Sequence, residues 1–317
     1  MSEPTPPGFA EVKQAAERIE SRVHRTPVMT SRLLNEITGA EVFFKCEHLQ
    51  KVGAFKARGA TNAVYSLTEE QAANGVATHS SGNHGAALAM AAASRGIPVH
   101  VVMPSNAPAV KRDAVAGYGG HIIECEPTLA ARESTLANFL EQSGASAVHP
   151  YNDSRVIAGQ GTVALELLEQ VTGLDVVAVP VGGGGLLAGT AIAVKHLNPK
   201  MEVIAVEPEG ADDAFRSFGF GELQPQNNPD TIADGLRAGL GELNFDIIRK
   251  HVDTILTVPD TVIVQAMQLQ WTRMKQLVEP SGAVSFAGLL EHPERFRQRR
   301  VGVVVSGGNV DLDNLPW

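Results

Sequence analysis

The sequence contains little cysteine and no long apolar run. Only 2 of its 317 residues are cysteines, and Cys46 and Cys125 lie far apart without the spacing of paired metal ligands. This argues against a disulfide framework and against a zinc site. No apolar run approaches the roughly 20 residues that cross a bilayer, and the N-terminus lacks a basic region followed by an apolar stretch. We therefore expect no membrane partner, no signal peptide and a cytoplasmic protein.

Positive charge is also scarce. The chain has 26 Lys and Arg against 35 Asp and Glu, a formal net charge of −9, and no Lys/Arg cluster offsets this charge locally. Such a chain would repel a phosphate backbone, so no nucleic-acid partner is expected. Apolar residues make up 44% and charged residues 19%, which is the composition of a folded domain. A small-molecule substrate is the favoured partner.

Short β-branched runs alternate with longer segments of helical period, which is typical of parallel strands joined by helical crossovers. The predicted strands are 40–47, 76–80, 98–103, 121–125, 175–181, 201–207 and 301–305, and the predicted helices include 55–67, 84–95, 128–142, 155–170 and 261–278. Nearly all of these strands are apolar throughout, as expected for strands covered on both faces. The sequence thus predicts the α/β class, as one large unit or two lobes sharing a cleft.

Glycine-bearing loops follow three of the predicted strands. They are SSGNHG, which starts at Ser80, GGGG at 182–185, and SGGN, which starts at Ser306. The carboxyl ends of strands bind ligands in open α/β sheets, so the three loops predict a shared pocket. The four glycines could surround an anion at a helix N-terminus or form a flexible turn. No GxGxxG spacing with a following acidic residue is present, so a phosphate there would belong to a mononucleotide-sized cofactor.

Several polar side chains are candidates for chemistry, and each has a plain structural alternative. Lys56, in GAFKARGA, has the setting of a desolvated lysine that condenses with an aldehyde, although most lysines are solvated helix residues. The loop Ser80–His84 could hold a carboxylate or cap the following helix. Ser306 could point into the pocket or cap a turn. Glu207 and Asp213 could share a hard cation or form an ordinary acidic turn.

Taken together, these segments resemble the serine racemase and threonine dehydratase branch of the fold type II pyridoxal-phosphate enzymes, with serine racemase the closer match. The resemblance runs, in the family's order, through KCEHLQKVGAFKARGATNAV, THSSGNHGAAL, VHPYNDS, VIAGQGT, VPVGGGGLLAG, TIADGL, RMKQLVEPSGA and VVVSGGNVDL. It implies two lobes of open twisted sheets, tryptophan synthase β-like, with the cofactor in the cleft between them. Residues 1–74 plus 153–317 would form a large cofactor-binding domain, residues 75–152 a small domain, and the protein a homodimer.

The resemblance implies that Lys56 holds pyridoxal 5'-phosphate as a Schiff base and removes the α-proton of the substrate, while Ser81 can return a proton on the opposite face. The cofactor-binding residues would be Phe55, Lys56, Asn83, Gly182, Gly183, Gly184, Gly185, Leu186 and Ser306. The substrate-binding residues would be Ser80, Ser81, Asn83, His84 and Arg132. A divalent cation, Mg²⁺, Ca²⁺ or Mn²⁺, would be bound by Glu207, Asp213 and the backbone carbonyl of Ala211, and would stabilise the fold.

The activity that the resemblance implies is the elimination of water from a β-hydroxy amino acid to give an oxo acid and ammonia. L-threo-3-hydroxyaspartate, L-serine and L-threonine are the candidate substrates, and racemisation is a companion activity. The alternatives among enzymes are a primary amino-acid racemase and a β-replacement enzyme of the cysteine synthase type. A catalytically silent binding protein and a nicotinamide-dependent oxidoreductase are the alternatives from other classes.

The chain also departs from the family pattern. Ala86 stands where animal serine racemases have a glutamine at their nucleotide site, which counts against activation by ATP, and Ala238 replaces a substrate-side serine. Arg132 remains and Arg237 lies nearby, so an arginine could grip the second carboxylate of hydroxyaspartate, or both arginines could face solvent. The chain ends soon after Asp311. We therefore expect no C-terminal regulatory domain and no feedback inhibition by isoleucine.

Overall fold

The computed structural model describes residues 5–80, 82–107 and 109–317, and all elements named below belong to those ranges. The strands are β1 Val28–Met29, β2 Glu41–Cys46, β3 Val76–His79, β4 Val99–Pro104, β5 His121–Cys125, β6 Ser146–Ala147, β7 Val176–Pro180, β8 Glu202–Pro208, β9 Thr254–Val258 and β10 Arg300–Val305. The α-helices are α1 Phe9–Ile19, α2 Arg32–Thr38, α3 Lys56–Ser66, α4 Glu69–Ala72, α5 Asn83–Arg95, α6 Ala109–Gly117, α7 Leu129–Ser143, α8 Ser154–Gln170, α9 Gly185–Leu197, α10 Asp213–Phe220, α11 Glu242–His251, α12 Asp260–Leu269 and α13 Pro280–Glu291. None of the helices in this described part has both the length and the apolar character needed to cross a bilayer.

The larger sheet has the strand order β1-β2-β10-β7-β8-β9 within the described ranges. The pair β1–β2 is antiparallel and the other neighbouring pairs are parallel. Alternate residues of β7 enter two different buried clusters, since Val177 and Val179 pack on one face and Val176 and Ala178 on the other. A strand buried on both faces must be apolar throughout. The predicted α/β class is confirmed.

The smaller sheet has the order β5-β4-β3-β6 in the described part of the chain, with all pairs parallel. Its strands come from residues 76–147, whereas the larger sheet is built from chain on both sides of that stretch. The two sheets are the two lobes of the predicted architecture. The domain boundaries placed at residues 75 and 152 stay a prediction.

Short polar side chains determine where two helices begin. These are α7, in the smaller lobe, and α8, with which the chain returns to the larger lobe. The Thr128 hydroxyl accepts a hydrogen bond from the Ala131 N–H at 3.1 Å at the start of α7. Asp153 accepts from the Arg155 N–H at 2.8 Å at the start of α8. Both side chains satisfy N–H groups that have no partner inside the helix. The chain direction at these two junctions is therefore set locally by the sequence.

The helix predicted over 261–278 is wrong in its C-terminal part. α12 ends at Leu269, a single π-helical turn follows, and Lys275 then takes a left-handed conformation with φ 61°. The Trp271 Nε1 donates a hydrogen bond to the carbonyl oxygen of Val278 at 2.9 Å. This bond turns the segment back on itself, and a π turn at the end of a helix accommodates such a change of direction.

A network of buried charges ties the start of α3 to its neighbours. Arg58, fully buried on α3, donates through Nε to Glu47 at 2.7 Å and through Nη1 to Glu166 at 2.7 Å. Lys45 Nζ, at the end of β2, donates to the same Glu166 carboxylate at 2.6 Å. The network therefore links β2, α3 and α8. Because α3 begins at Lys56, it also fixes the helical turn that carries that lysine.

Replacing Arg58 by alanine is expected to lower the free energy of unfolding by about 3–5 kcal/mol, because it leaves the Glu47 carboxylate buried without its cation. Urea denaturation followed by circular dichroism measures the change. Arg25→Ala is the control, since it breaks an ion pair with Glu169 whose side chains are 55% and 63% exposed and should cost about 0–1 kcal/mol. Similar small losses in both variants would contradict a structural role for the network.

Candidate active site

Lys56 lies at the first position of α3, and its side chain reaches the segment that follows β6. Its Nζ donates a hydrogen bond to the carbonyl oxygen of Pro150 at 2.8 Å and lies 5.1 Å from the centre of the Phe55 ring. Burial lowers the pKa of Lys56 to about 8. About a tenth of the amine is therefore uncharged at pH 7, far more than for a solvated lysine, and the uncharged form is the one that attacks an aldehyde carbon.

The four glycines 182–185 form a tightly packed loop between β7 and α9. A Cβ on Gly183 would lie 2.4 Å from the Tyr151 ring, and a Cβ on Gly182 would lie 2.8 Å from the Leu236 backbone. Gly184 has a φ of 90°. Side chains are therefore excluded, and the bare backbone N–H groups lead into the N-terminus of α9, where an anion is favoured. This packing favours an anion cradle over the flexible-turn alternative. Leu186 is buried in the first turn of α9.

Asn244 holds this loop in place by hydrogen bonds, and sequence reasoning did not identify it. Its Nδ2 donates to the carbonyl oxygen of Gly183 at 2.6 Å and to that of Tyr151 at 3.1 Å. Asn244 belongs to no motif, and its partners are 61 and 93 residues away in sequence. Tyr151 lies in HPYNDS, one of the segments that carry the family resemblance. That position is the sequence signal that could have identified Tyr151 as part of the site. The two residues hold the glycine loop against the segment that also contacts Lys56.

The loop that follows β3 combines capping groups with groups open to a ligand. Ser80 Oγ accepts hydrogen bonds from the Gly82 and Gly85 N–H groups at 3.2 and 3.1 Å, so the capping alternative describes Ser80. Ser81, predicted to return a proton to substrate, lies outside the described residues. His84 is buried, and burial, with the Lys56 charge second, lowers its pKa well below the usual value.

Asn83 and His84 keep hydrogen-bonding groups that the described residues do not use. His84 Nε2 lies 3.4 Å from the carbonyl oxygen of Val148, while its Nδ1 is buried and has no partner among the described residues. Asn83 begins α5, and its Nδ2 donates to Glu279 Oε1 at 2.9 Å. A neutral imidazole and a helix N-terminus together suit a carboxylate.

Ser306 directly follows β10, and Glu279, which contacts Asn83, directly precedes α13. Ser306 is buried, and its Oγ donates to the carbonyl oxygen of Ser281 at 3.3 Å. Its hydroxyl therefore contacts the first turn of α13, and its oxygen can still accept a hydrogen bond. Glu279 was not singled out from the sequence, although it stands in the EPSGA segment that the family resemblance covers.

Arg132 lies on α7, and its charge acts on two aromatic rings, those of His79 and Tyr151. The ring centres of His79 and His149 are 5.5 Å apart, and those of His149 and Tyr151 are 4.6 Å apart, both edge to face. Burial lowers the pKa of both histidines to about 4, and the Arg132 charge adds to the shift of His79. The Arg132 charge therefore acts on an imidazole that is neutral at pH 7. Arg237, by contrast, donates to the carbonyl oxygen of Thr231 at 2.9 and 2.5 Å.

The predicted cation ligands form a separate buried cluster at the end of β8. Glu207 accepts from the Ala214 and Phe215 N–H groups at 3.1 and 2.8 Å, and Asp213 Oδ2 accepts from the Leu240 N–H at 2.7 Å. Burial raises the pKa of Glu207 well above its usual value and that of Asp213 to about 6.

Ala211 is buried in the turn between these two acids. Within the ranges that the structure describes, no group of three or more His, Cys, Asp or Glu side chains could hold a metal. A cation there would depend on two carboxylates and backbone oxygen. Leu240, bonded to Asp213, also packs where a Cβ of Gly184 would lie, so the acidic cluster adjoins the glycine loop.

The chain is similar to known proteins along nearly its whole length. The family model described as "Pyridoxal-phosphate dependent enzyme" matches residues 19–307. The beta-hydroxyaspartate dehydratase of Paracoccus denitrificans (strain Pd 1222) is 54% identical over 311 residues, covering 98% of this chain and 99% of that protein. The serine racemase of Dictyostelium discoideum is 48% identical, with 96% and 95% covered. The structure of maize serine racemase superposes with a TM-score of 0.95 at 47% identity, over 97% of this chain and 95% of that one. The chain therefore belongs to the family of pyridoxal-phosphate dependent enzymes.

Proposed function

We propose that the protein eliminates water from a β-hydroxy amino acid, giving an oxo acid and ammonia, and that it racemises amino acids as a companion activity. The observation that carries this is the desolvated Lys56 amine, held against Pro150 between the glycine cradle and the Asn83–His84 helix N-terminus. The likeness to a beta-hydroxyaspartate dehydratase and to serine racemases supports both parts. Racemisation rests on that likeness alone, since Ser81 lies outside the described residues.

The residues present fit pyridoxal 5'-phosphate. The glycine loop 182–185 and the first N–H groups of α9, including that of Leu186, would hold its phosphate, because a backbone without side chains lets an anion approach its N–H groups. Phe55 would pack against its ring, and Asn83 would contact its phenolic oxygen. Ser306 would contact its pyridine nitrogen. When bound to Lys56, the cofactor supplies an electron sink for the electrons of the substrate's Cα–H bond.

Side chains of the protein account for the transfer of the α-proton and for the binding of the α-carboxylate. Lys56, with a pKa of about 8, can accept the α-proton and later release it near neutral pH. A hydroxyl at Ser306, unlike a carboxylate, does not hold a proton on the facing nitrogen, which favours rapid loss of the β-hydroxyl over a long-lived carbanion. His84 and the N-terminus of α5 would bind the α-carboxylate. The Cβ–O bond breaks, and the departing hydroxide together with the proton that Lys56 took from Cα makes up the one water lost. The released enamine then takes up one water and hydrolyses to the oxo acid and ammonia.

Arg132 supports a dicarboxylic substrate, L-threo-3-hydroxyaspartate. A guanidinium binds a carboxylate through two parallel N–H groups. No ion pair of Arg132 occurs among the residues that the structure describes, and the rings beside it are neutral. Arg237 bonds its own segment through Thr231. We therefore propose that Arg132 binds the second carboxylate of the substrate, and that Arg237 has a structural role through its bonds to Thr231.

Release of oxo acid and ammonia from L-threo-3-hydroxyaspartate, L-serine and L-threonine tests this function. Arg132→Ala should lower kcat/KM for hydroxyaspartate roughly 10- to 100-fold, because it removes a charged hydrogen bond worth ~1.5–3 kcal/mol, with little change for serine. Arg237→Ala is the matched control, and Lys56→Ala should abolish release from every substrate.

Equal losses for hydroxyaspartate and serine in Arg132→Ala would count against a grip on the second carboxylate. Absence of oxo acid from all three substrates, with conversion of L-serine to D-serine, would make the protein primarily a racemase. Formation of a thioether or cysteine only when a sulfide donor is present would make it a β-replacement enzyme.

We further propose that a divalent cation binds Glu207, Asp213 and the Ala211 carbonyl, since two buried carboxylates without a cation repel each other. Mg²⁺ or Ca²⁺ added to chelator-treated protein should raise Tm by a few degrees, because binding at ~100 times Kd contributes ~2.7 kcal/mol. Glu207→Gln should lose this rise, whereas Glu222→Gln, on an exposed residue, should keep it. An equal rise in both variants would place the cation elsewhere.

We also propose a homodimer. Exposed apolar side chains include Leu33, Ile37, Leu49 and Leu277, and Leu49 and Leu277 belong to segments joined by the His48–Gln276 hydrogen bond at 2.9 Å. A second copy would cover such a surface. Sedimentation equilibrium should give twice the mass of the chain, and the mass of one chain would exclude the dimer.

A cytoplasmic location is proposed as well, because Cys46 and Cys125 are free thiols in the structure, as suits a reducing compartment. Fractionation of the source cells tests it, and recovery of the protein with membranes or with secreted material would contradict it.

A further inference from the structure

Glu279 is a buried carboxyl that the proposed chemistry does not use. It stands directly before α13 and is only 4% exposed. Its Oε1 accepts the hydrogen bond from Asn83 Nδ2 at 2.9 Å. Burial raises the pKa of Glu279 to about 8, with the Asp234 charge adding to the rise and the Lys111 charge opposing it. The side chain is therefore mostly protonated at neutral pH and acts toward Asn83 as a neutral acceptor.

The other end of the Asn83 amide is held by Asn309. Asn309 Nδ2 donates to Asn83 Oδ1 at 2.9 Å and to the carbonyl oxygen of Val52 at 2.7 Å. An asparagine amide carries one acceptor oxygen and two N–H donors. With the oxygen of Asn83 turned to Asn309 and one N–H turned to Glu279, a flip of the amide would break both bonds. One N–H of Asn83 remains for a ligand.

Two glycines leave room for this arrangement. A Cβ on Gly307 would lie 2.2 Å from Glu279 Oε1 and 3.3 Å from Asn83 Nδ2. A Cβ on Gly53 would lie 2.4 Å from Asn309 Oδ1. The backbone around the three side chains therefore fits them closely. Such a close fit restricts each amide and carboxyl to one orientation.

We infer that Glu279 and Asn309 are positioning residues, which fix the Asn83 amide so that its remaining N–H faces the phenolic oxygen of pyridoxal 5'-phosphate. The inference rests on the proposed function, which places that oxygen at Asn83. The opposite orientation would set the amide oxygen of Asn83 against the phenolic oxygen. It would exchange a hydrogen bond for a repulsion between two acceptors. Cofactor affinity then depends on two residues that touch neither substrate nor cofactor.

The test measures the dissociation constant of pyridoxal 5'-phosphate and the visible absorbance maximum of the loaded protein. Glu279→Met removes the acceptor but keeps an unbranched side chain of similar length, whereas Glu279→Gln keeps a carbonyl oxygen. Asn309→Ala, on an exposed residue, removes the second partner without opening the core. Each variant is made in the wild-type and in the Asn83→Ala background. Glu294→Gln, with a side chain 69% exposed, is the control.

Glu279→Met and Asn309→Ala should each weaken cofactor binding ~10-fold, the equivalent of one net hydrogen bond, and shift the absorbance maximum. Glu279→Gln should bind the cofactor nearly as tightly as the wild type. In the Asn83→Ala background neither substitution should weaken binding further, because both act through Asn83.

If Asn309→Ala binds the cofactor with wild-type affinity and has the wild-type absorbance maximum, the inference is overturned. Because Asn309 is exposed, this variant tests the inference even if Glu279→Met fails to fold. An equal weakening in the Asn83→Ala background would also overturn it, since the residues would then act by another route. Failure of the wild type itself to bind pyridoxal 5'-phosphate would instead overturn the proposed cofactor site, and the assignment of Glu279 and Asn309 with it.

Discussion

The paired charges around Arg58 determine where Lys56 can lie. Moving a guanidinium and its carboxylate partners out of water costs free energy that only a close geometric match recovers. Arg58 is fully buried, and its bonds to Glu47 and Glu166 leave one arrangement of β2, α3 and α8 that satisfies all the charges. Lys56 precedes Arg58 by two positions on the same helix and reaches a different partner, the Pro150 carbonyl. The chemistry of one lysine is thus held in place by the electrostatics of its neighbour.

The segment between β6 and α8 completes the site from the other side. Pro150 contacts Lys56, the Tyr151 ring lies against Gly183, and Asn244 bonds the carbonyl oxygens of both Tyr151 and Gly183. One short piece of chain therefore contacts both the Lys56 amine and the glycine loop 182–185 that we propose as the phosphate site. A displacement of this segment would move both together, which makes it a common support for the proposed site.

The histidines near Lys56 carry no charge at neutral pH. Burial keeps His79, His84 and His149 neutral by lowering their pKa values. The Lys56 amine, with its pKa lowered to about 8, is still mostly charged at neutral pH but can release its proton there. The guanidinium of Arg132 stays charged throughout this pH range, and we propose it as the cation that a substrate meets. This contrast gives a physical basis for preferring a substrate with a second carboxylate.

The parts of the fold that follow local rules were predictable from the sequence. The apolar runs of β3, β7 and β10 and the glycine-bearing loops that follow them predicted the α/β class and one edge of the pocket. The membership of Lys56 in the site depended on the family resemblance, because an isolated lysine carries no such signal. Local reasoning also identified the capping role of Ser80 as one of two alternatives.

Contacts between distant single residues could not be predicted. The Asn83–Glu279 bond joins positions 196 residues apart, and no periodic pattern marks either end. Asn244 reaches the glycine loop from a helix of ordinary composition. The helix predicted to continue to residue 278 ends early because of a bond from Trp271 to Val278, which only the folded chain brings together. Each of these outcomes depends on tertiary packing rather than on local propensity.

We propose that the cofactor is bound to Lys56, and chemical trapping tests this directly. Reduction of the loaded protein with borohydride makes the bond between the lysine and pyridoxal 5'-phosphate permanent, and proteolysis with mass spectrometry then locates the added mass. One modified peptide, containing Lys56, is expected, together with the loss of the visible absorbance band on reduction. A label on another lysine, such as Lys51, or no label on a protein that nonetheless releases oxo acid, would exclude Lys56 as the cofactor-bearing residue.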